Sequence, residues 1–276
     1  MFVMLCRTGL VAGIAVAGLL AGSLSHFANA GEKTGKAVRY ALPENGNEVI
    51  FVFDLKNGFT PPRQNNSPTL LIRANGKIEM PSLYGEGRDI EGKLNATELQ
   101  EFLRFVIEEN KFVEFDANTV QGQIEEIREK KQVPRIADVP DTIVELKIPG
   151  HANSVRQPDV GMPSEFKQVE DLQRLLAIRK RVNQLMSETR VGGKQGITKL
   201  LVPINKKLRQ EYPDVAPLVA QDFSGSYMQQ DGSITATVSR AGRDREGKPN
   251  GTYVTGTARL SPGGDKPEIT LRVKLK

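Results

Sequence analysis

Alternation of apolar and polar residues around glycine-containing turns constrains this chain to antiparallel hairpins. In TLLIRANGKIEM, residues 69–80, a three-residue loop ending at Gly76 would place Ile72 opposite Ile78. Glycine tolerates the left-handed backbone that such a loop requires at its last position. Turn and alternation then agree on one register, because the apolar side chains of both strands share a face: Leu70, Ile72, Ile78 and Met80.

The C-terminal region repeats this arrangement over several strands. In SYMQQDGSITATVSR, residues 226–240, a loop ending at Gly232 would place Met228 opposite Ile234. The segments GTYVTGTARL and EITLRVKLK that follow also alternate with a period of two, which is typical of strands with one buried face. We predict a four-stranded antiparallel meander here.

Helices are predicted between the strand segments. Asn95 and Glu98 form a capping-box pattern that begins a helix in NATELQEFLRFVIEEN, and a second helix is predicted in TVQGQIEEIREKKQ. A long helix is predicted from Ser164 to Ser187, with Phe166 and Val169 on its buried face. A fourth, in ITKLLVPINKKLRQEYP, contains Pro203.

These elements predict an α+β protein of two domains. Residues 31–192 would form hairpin and helix units, with helices on one face of a mostly antiparallel sheet. The segment RVGGKQG, residues 190–196, has the composition of a linker. Residues 193–276 would form one helix across the antiparallel meander.

The first 30 residues have the features of a cleaved signal peptide. Arg7 precedes an apolar stretch from Leu10 to Leu20, and Ala28 and Ala30 form an A-x-A cleavage pattern. The apolar stretch is short for a membrane span of about 20 residues. We therefore expect cleavage after Ala30, a secreted or periplasmic protein, and no stable membrane span in the mature chain.

Loss of this segment limits the available chemistry. Cys6 and His26 would be removed, so the mature chain would keep His151 as its one histidine and have no cysteine. Disulfides, thiol nucleophiles and multi-histidine metal sites are then excluded, and no cofactor is expected.

Loss of Arg7 lowers the net charge of +5 by one. A mildly basic protein favours an acidic polysaccharide, lipid headgroups or an acidic protein as partner. Nucleic acid is not expected for an exported protein.

Basic residues are the candidate binding groups. They are explained either by solvation and by stabilisation of helix C-termini, or by binding to a polyanion. His151 follows a Pro-Gly turn without a nucleophile motif and is interpreted as an exposed turn residue. The acidic groups around Glu125 and in DREGKPNG are interpreted as solvated and turn residues. The candidate polyanion-binding residues are Arg179, Lys180, Arg181, Lys206, Lys207, Arg272 and Lys274.

Two resemblances follow from these segments. With PTLLIRANGKIEM, NATELQEFLRFV and TIVELKI, the first domain resembles uncharacterised exported bacterial proteins of planctomycete type. The second resembles cystatin-like folds in its order of elements, a helix followed by a four-stranded meander. It lacks the Gln-x-Val-x-Gly hairpin of inhibitory cystatins. The first resemblance implies export and an arrangement of secondary-structure elements, and the second implies a fold.

The sequence thus favours an exported, non-catalytic protein that binds an envelope macromolecule or has a structural role. One alternative is a carboxylate-based hydrolase acting on glycans, which requires two converging acids at about 5 to 10 Å. The others are a polyanion-binding module and a protease-inhibitor-like module.

Signal cleavage generates the first prediction. We expect the exported protein to begin at Gly31, because Ala28 and Ala30 supply the small side chains that a signal peptidase requires. Intact-mass spectrometry of the periplasmic or secreted fraction should show loss of residues 1–30, and A28K should block the cleavage. Full-length chains in the cytosolic fraction would contradict the prediction.

Overall fold

The computed structural model describes residues 39–57, 67–81, 89–135, 138–162, 164–243, 249–264 and 266–274. These residues form helices together with a six-stranded and a four-stranded sheet, so the chain is an α+β protein as predicted. The predicted signal peptide lies outside the described residues. Within them, no helix combines the length and apolarity that a membrane crossing would need.

The first sheet is antiparallel throughout, in the order β4-β3-β2-β1-β5-β6. The predicted hairpin forms between β2 and β3, where Ile72 pairs with Ile78 and Gly76 has a φ of +81°. The strands are β1 Val49–Lys56, β2 Leu70–Arg73, β3 Lys77–Met80, β4 Ile90–Lys93, β5 Asp141–Ile148 and β6 His151–Gln157.

Four α-helices occur in the described residues: α1 Ala96–Arg104, α2 Ala117–Lys131, α3 Glu170–Arg190 and α4 Gly193–Glu211. The capping box is present at α1, where the Glu98 amide donates to Asn95 Oδ1 at 3.0 Å and the Asn95 amide donates to Glu98 Oε2 at 3.1 Å. The helix continues as a π-helical turn, Phe105–Glu109. Helix α1 packs on the first sheet, where the rings of Phe102 and Phe51 meet edge to face with their centroids 4.9 Å apart.

The predicted start of the long helix is wrong. The residues from Ser164 to Lys167 form turns, and α3 begins only at Glu170. Phe166 is fully buried beneath the Arg128 guanidinium, 5.5 Å from the ring centre. Arg128 is itself held by Asp159 at 2.6 Å. Contacts with α2 and with the segment after β6 therefore fix Phe166 outside the helix.

The second sheet is the predicted antiparallel meander, in the order β10-β9-β8-β7. Met228 pairs with Ile234, as the turn chemistry predicts. Its inner face and α4 form a separate core whose buried residues include Leu200, Ile204, Ala236, Val238 and Ala258. The strands are β7 Phe223–Met228, β8 Ile234–Arg243, β9 Pro249–Leu260 and β10 Glu268–Lys274.

The predicted linker, residues 190–196, contains the two-residue turn between α3 and α4 together with the first residues of α4. α3 ends at Arg190 and α4 begins at Gly193, with Gly192 and Gly193 at φ values of +86° and +69°. A Cβ on Gly196 would lie 1.5 Å from the Val191 carbonyl oxygen. These glycines therefore permit a close helix reversal, which composition alone does not distinguish from a linker.

Several contacts join α3 to the outer edge of β7. Ser226 Oγ donates to the Ser187 carbonyl at 2.8 Å, and Arg190 Nη1 donates to the Ser226 carbonyl at 3.1 Å. Farther along, Lys194 pairs with Glu98 at 2.6 Å. The second sheet is thus attached to the first core along its β7 edge.

Two turn glycines with the same backbone angle generate a stability prediction. Gly76 and Gly150 both have a φ of +81°, but a Cβ on Gly76 would lie 2.3 Å from the Leu94 carbonyl oxygen, whereas one on Gly150 would meet nothing within 4 Å. Both alanine variants bear the left-handed cost of about 1–2 kcal/mol. We expect G76A to lose about 2 kcal/mol more, because the Leu94 backbone must shift.

Urea denaturation of the two variants measures this difference. G150A is the matched control, since it isolates the backbone penalty from the steric one. Equal losses of unfolding free energy would show that the hairpin loop moves away from Leu94 without cost.

Candidate functional site

The second sheet has an inner face covered by α4 and an outer face with a different composition. Ala236, Val238, Val254 and Ala258 are buried on the inner face. The residues that alternate with these along each strand point to the outer face. The open face is defined here as Ser224 and Tyr227 of β7, the odd positions 235–241 of β8 and 253–259 of β9, and the even positions 268–274 of β10.

Hydroxyl groups dominate the open face. Thr237, Thr257 and Thr270 pair across three neighbouring strands, which lie about 4.8 Å apart. Ser224 and Ser239 share a hydrogen bond between their Oγ atoms. Threonine also suits strands because it is β-branched, yet each of these hydroxyls both donates and accepts hydrogen bonds. The face therefore offers regularly spaced groups for a polar ligand.

Two tyrosines stand out of this hydroxyl-rich surface. Tyr227 is 53% exposed and Tyr253 is 43% exposed. Tyr227 lies in the same cross-strand row as Arg259, at one end of β9, whereas Tyr253 lies towards the other end. About 20 Å of strand separates the two rows. The rings are thus placed to contact an extended ligand at two points.

A cleft of about 390 Å³ opens at the Tyr253 end of the sheet. Among the described residues, its lining includes two basic residues and a tyrosine and no acidic residue. An anionic group in this cleft would meet the positive charge of Lys274, with no carboxyl group in the described part of the lining. The lining residues are Arg240, Ala241, Gly242, Thr252, Tyr253, Val254 and Lys274.

The two cations of the cleft differ in their partners. Arg240 Nη2 donates to the Ala216 carbonyl at 2.6 Å and Nη1 to the Pro217 carbonyl at 3.2 Å, while Asp222 lies 3.6 Å away. Lys274 is exposed and makes no ion pair with any described residue. Arg240 belongs to the inner-facing row of β8, since it pairs with Val254, and these partners hold it there. Lys274 is therefore the cation of the cleft without an ion-pair partner among the described residues.

At the opposite end of the open face, Arg259 has partners. Its Nε donates to Ser233 Oγ at 3.1 Å, and its Nη2 pairs with Asp231. Hydrogen bonds from the Ser233 side chain and backbone, followed by Arg259, lower the pKa of the Asp231 carboxyl from 3.8 to about 2. The positive charge at this end is therefore neutralised, and the free positive charge lies towards Arg272 and Lys274.

The structure does not bring the predicted basic residues together. Arg272 and Lys274 lie on the open face, whereas Lys206 and Lys207 belong to α4 on the other side of the sheet. Lys207 Nζ donates to the Ile269 carbonyl at 2.8 Å and lies 3.7 Å from Glu211.

The three predicted binding residues of α3 lie on a helix of the first core. Arg179 is half-buried, and its Nη1 lies 3.4 Å from Thr142 Oγ1, within hydrogen-bond distance. Burial lowers the pKa of Arg179, which places it inside the fold rather than on a binding surface. Lys180 is exposed and Arg181 is half-buried.

His151 lies at the end of the hairpin turn, as expected, but it is half-buried rather than exposed. Its ring meets Tyr40 edge to face at 5.5 Å. The Tyr40 hydroxyl donates to Glu108 Oε1 at 2.7 Å, and burial, followed by this hydrogen bond, raises its pKa. His151 therefore helps to hold the start of the described chain against the first core.

The acidic candidates are paired rather than converging. Glu125 accepts from Arg135 at 2.7 Å and from Arg128 at 3.2 Å, and Asp141 pairs with Arg156 at 2.6 Å. Within the described residues there is no group of acids or histidine that could hold a metal ion. Asp244 and Glu246 of DREGKPNG lie outside the described residues. Side-chain hydrogen bonds lower the pKa of six described carboxyls: Glu79, Glu98, Asp116, Glu125, Glu126 and Asp231.

Sequence reasoning missed Tyr227, Tyr253 and Arg240 as parts of a site. The period-two pattern of β9 already places Tyr253 on the polar face, so that signal was present in the sequence. Comparison with protein-family models, curated proteins and solved structures finds no match to this chain. The geometry of the open face is therefore the basis for a functional proposal.

The charge pairing at the Arg259 end generates a pH prediction. Because the folded-state pKa of Asp231 is depressed, its contribution to stability is present above pH 3.8 and is lost as the pH falls towards 2. Carboxyl NMR titration should give a midpoint near pH 2, and S233A should raise it towards 3.8. R259Q should raise it less, because Ser233 is the larger cause. A wild-type midpoint near 3.8 would contradict this arrangement.

Proposed function

We propose that this protein is an exported binding protein that holds an acidic polysaccharide of the bacterial envelope on its open face. The observation that carries the proposal is the combination of a hydroxyl-rich sheet face with the exposed cations Arg272 and Lys274 at one end, beside a cleft whose described lining contains no acid. Export rests on the predicted signal peptide alone.

The open face matches the groups of a sugar chain. Serine and threonine hydroxyls donate and accept hydrogen bonds, as sugar hydroxyls do. The exposed rings of Tyr227 and Tyr253 present an apolar body with a polar tip, which suits the mixed apolar and polar faces of sugar rings. Their separation of about 20 Å along the strands favours a chain over a single sugar.

Charge selects an acidic chain over a neutral one. Arg272 and Lys274 are exposed and unpaired within the described residues, and Glu268 is the one acid on the described open face. Exposed charges interact through water and are screened by salt, so their contribution is modest and depends on ionic strength. Hydroxyl contacts and ring contacts would supply the salt-independent part of binding.

A carboxylate-based glycan hydrolase is less well supported. Such an enzyme needs a general acid whose pKa is raised, opposite a second carboxylate. The described carboxyls whose pKa is shifted have lowered values, and the described part of the cleft lining contains no acid. Protease inhibition rests on the order of elements in the second domain and has no site geometry to support it.

Binding to heparin and to polygalacturonate, measured by calorimetry with dextran as the neutral probe, tests the proposal. We expect both polyanions to bind more weakly as salt rises, and dextran to bind little. K274A and R272A should each weaken binding about twofold to fivefold, since exposed charge pairs contribute about 0.2–1 kcal/mol. Y253A should weaken it more than about fivefold, as expected for an exposed aromatic anchor.

K180A is the matched control, because Lys180 is an exposed lysine on α3, outside the open face. It should leave affinity unchanged. Salt-insensitive binding, absence of binding to both polyanions, or an equal loss in K180A would overturn the assignment to this face.

A further inference from the structure

The two outer strands of the second sheet differ in what contacts them. β7 is contacted at Ser226 by Ser187 and Arg190 of α3. β10 is hydrogen-bonded to β9 on one side, and no described strand pairs with its other side. A free strand edge presents backbone donors and acceptors that another strand can use.

The inward row of β10 is incompletely covered. Ile269, Leu271 and Val273 pack against the second core, but each remains half-buried. In the neighbouring strand, Val254 and Ala258 on the same face are buried. Apolar area at the β10 edge therefore remains available, and its burial by a further strand would be favourable.

The sequence of β10 is complementary to itself in one antiparallel register. If Leu271 lies opposite Leu271 of a second copy, Glu268 lies opposite Lys274 and Ile269 lies opposite Val273. Opposite residues in this register point to the same face, because the two strands are related by a twofold axis normal to the sheet. Opposite charges then meet on the outer face, and apolar side chains meet on the inner face.

Other registers are less favourable. Sliding the strands by two residues in one direction places Arg272 opposite its own copy. Sliding them in the other direction pairs Glu268 with Arg272, but it places Val273 opposite Pro267, which has no backbone N–H to donate. A slip of one residue would put apolar side chains opposite polar ones. Like charges directly opposite each other destabilise a strand pair. The register centred on Leu271 is preferred because it pairs all seven residues of β10, with apolar side chains opposite apolar ones and Glu268 opposite Lys274.

We propose that a second copy of this chain pairs with the β10 edge and forms an isologous dimer with a continuous eight-stranded sheet. Lys207 of α4, which donates to the Ile269 carbonyl, holds the helix beside this edge. A carbonyl oxygen has two lone pairs, so this contact is compatible with strand pairing.

The dimer does not depend on polysaccharide binding. Where both occur, Lys274 pairs with Glu268 of the second copy, and Arg272 is the cation that remains for the polyanion at this edge. The two open faces become contiguous, and a single chain that contacts both copies would bind more tightly through the higher effective concentration of the second site. Seven-residue strands form a small contact, so the dimer should depend on protein concentration and dissociate on dilution.

Sedimentation equilibrium of the exported protein, without polysaccharide, tests the proposal. We expect a monomer–dimer equilibrium in which E268K and K274E each weaken association at least about fivefold, because each creates two like-charged pairs. The double variant E268K/K274E should recover dimerisation, since the opposite charges are restored in exchanged positions. Recovery in the double variant identifies the register, which a general effect of charge would not do.

K180E is the control for a change of net charge away from β10, and it should associate as the wild type does. Far-ultraviolet circular dichroism of every variant separates loss of pairing from loss of folding. A protein that stays monomeric at all concentrations, single variants that dimerise normally, or a double variant that stays as weak as the single ones would overturn the proposal. None of these outcomes depends on whether the open face binds a polyanion.

Discussion

Close packing of α4 on the second sheet is the contact on which the rest of the C-terminal half depends. A Cβ at Gly256 would lie 2.5 Å from Ile204 Cγ2, so glycine in β9 allows the helix to approach. Ile204 is fully buried in the second core. Because one helix covers one face, the alternate side chains of the same strands are left for solvent or for a ligand.

A tight junction fixes which edge of the second sheet is free. The reversal at Gly192 and Gly193 brings the end of α3 beside β7, where Ser187 and Arg190 bond to Ser226. This contact lies at the β7 edge and leaves β10 at the opposite edge of the sheet. The proposed dimer and the proposed polysaccharide surface both follow from this orientation, since the open face extends to the free edge.

Local patterns predicted the elements whose causes are local. The two hairpins and the capping box at Asn95 form as predicted, because turn residues and caps act within a few positions of the chain. The predicted start of α3 at Ser164 was wrong. Phe166 is held by Arg128, which lies 38 positions earlier in the chain, and not by its sequence neighbours. Residues 190–196 have the composition of a linker but form the turn into α4 and its first residues, because glycines serve close packing as well as flexibility.

The sequence by itself determined the α+β class, the alternation that separates a polar from an apolar face of each strand, and the chemical groups that each face can offer. Tertiary structure alone decided which of these groups meet. Arg240, Tyr253 and Lys274 come together only through the pairing of β8, β9 and β10, whereas Arg179 is drawn towards the first core and Lys206 lies behind the sheet. Strand alternation is a local property of the backbone, but the contact of distant strands depends on how the whole core packs.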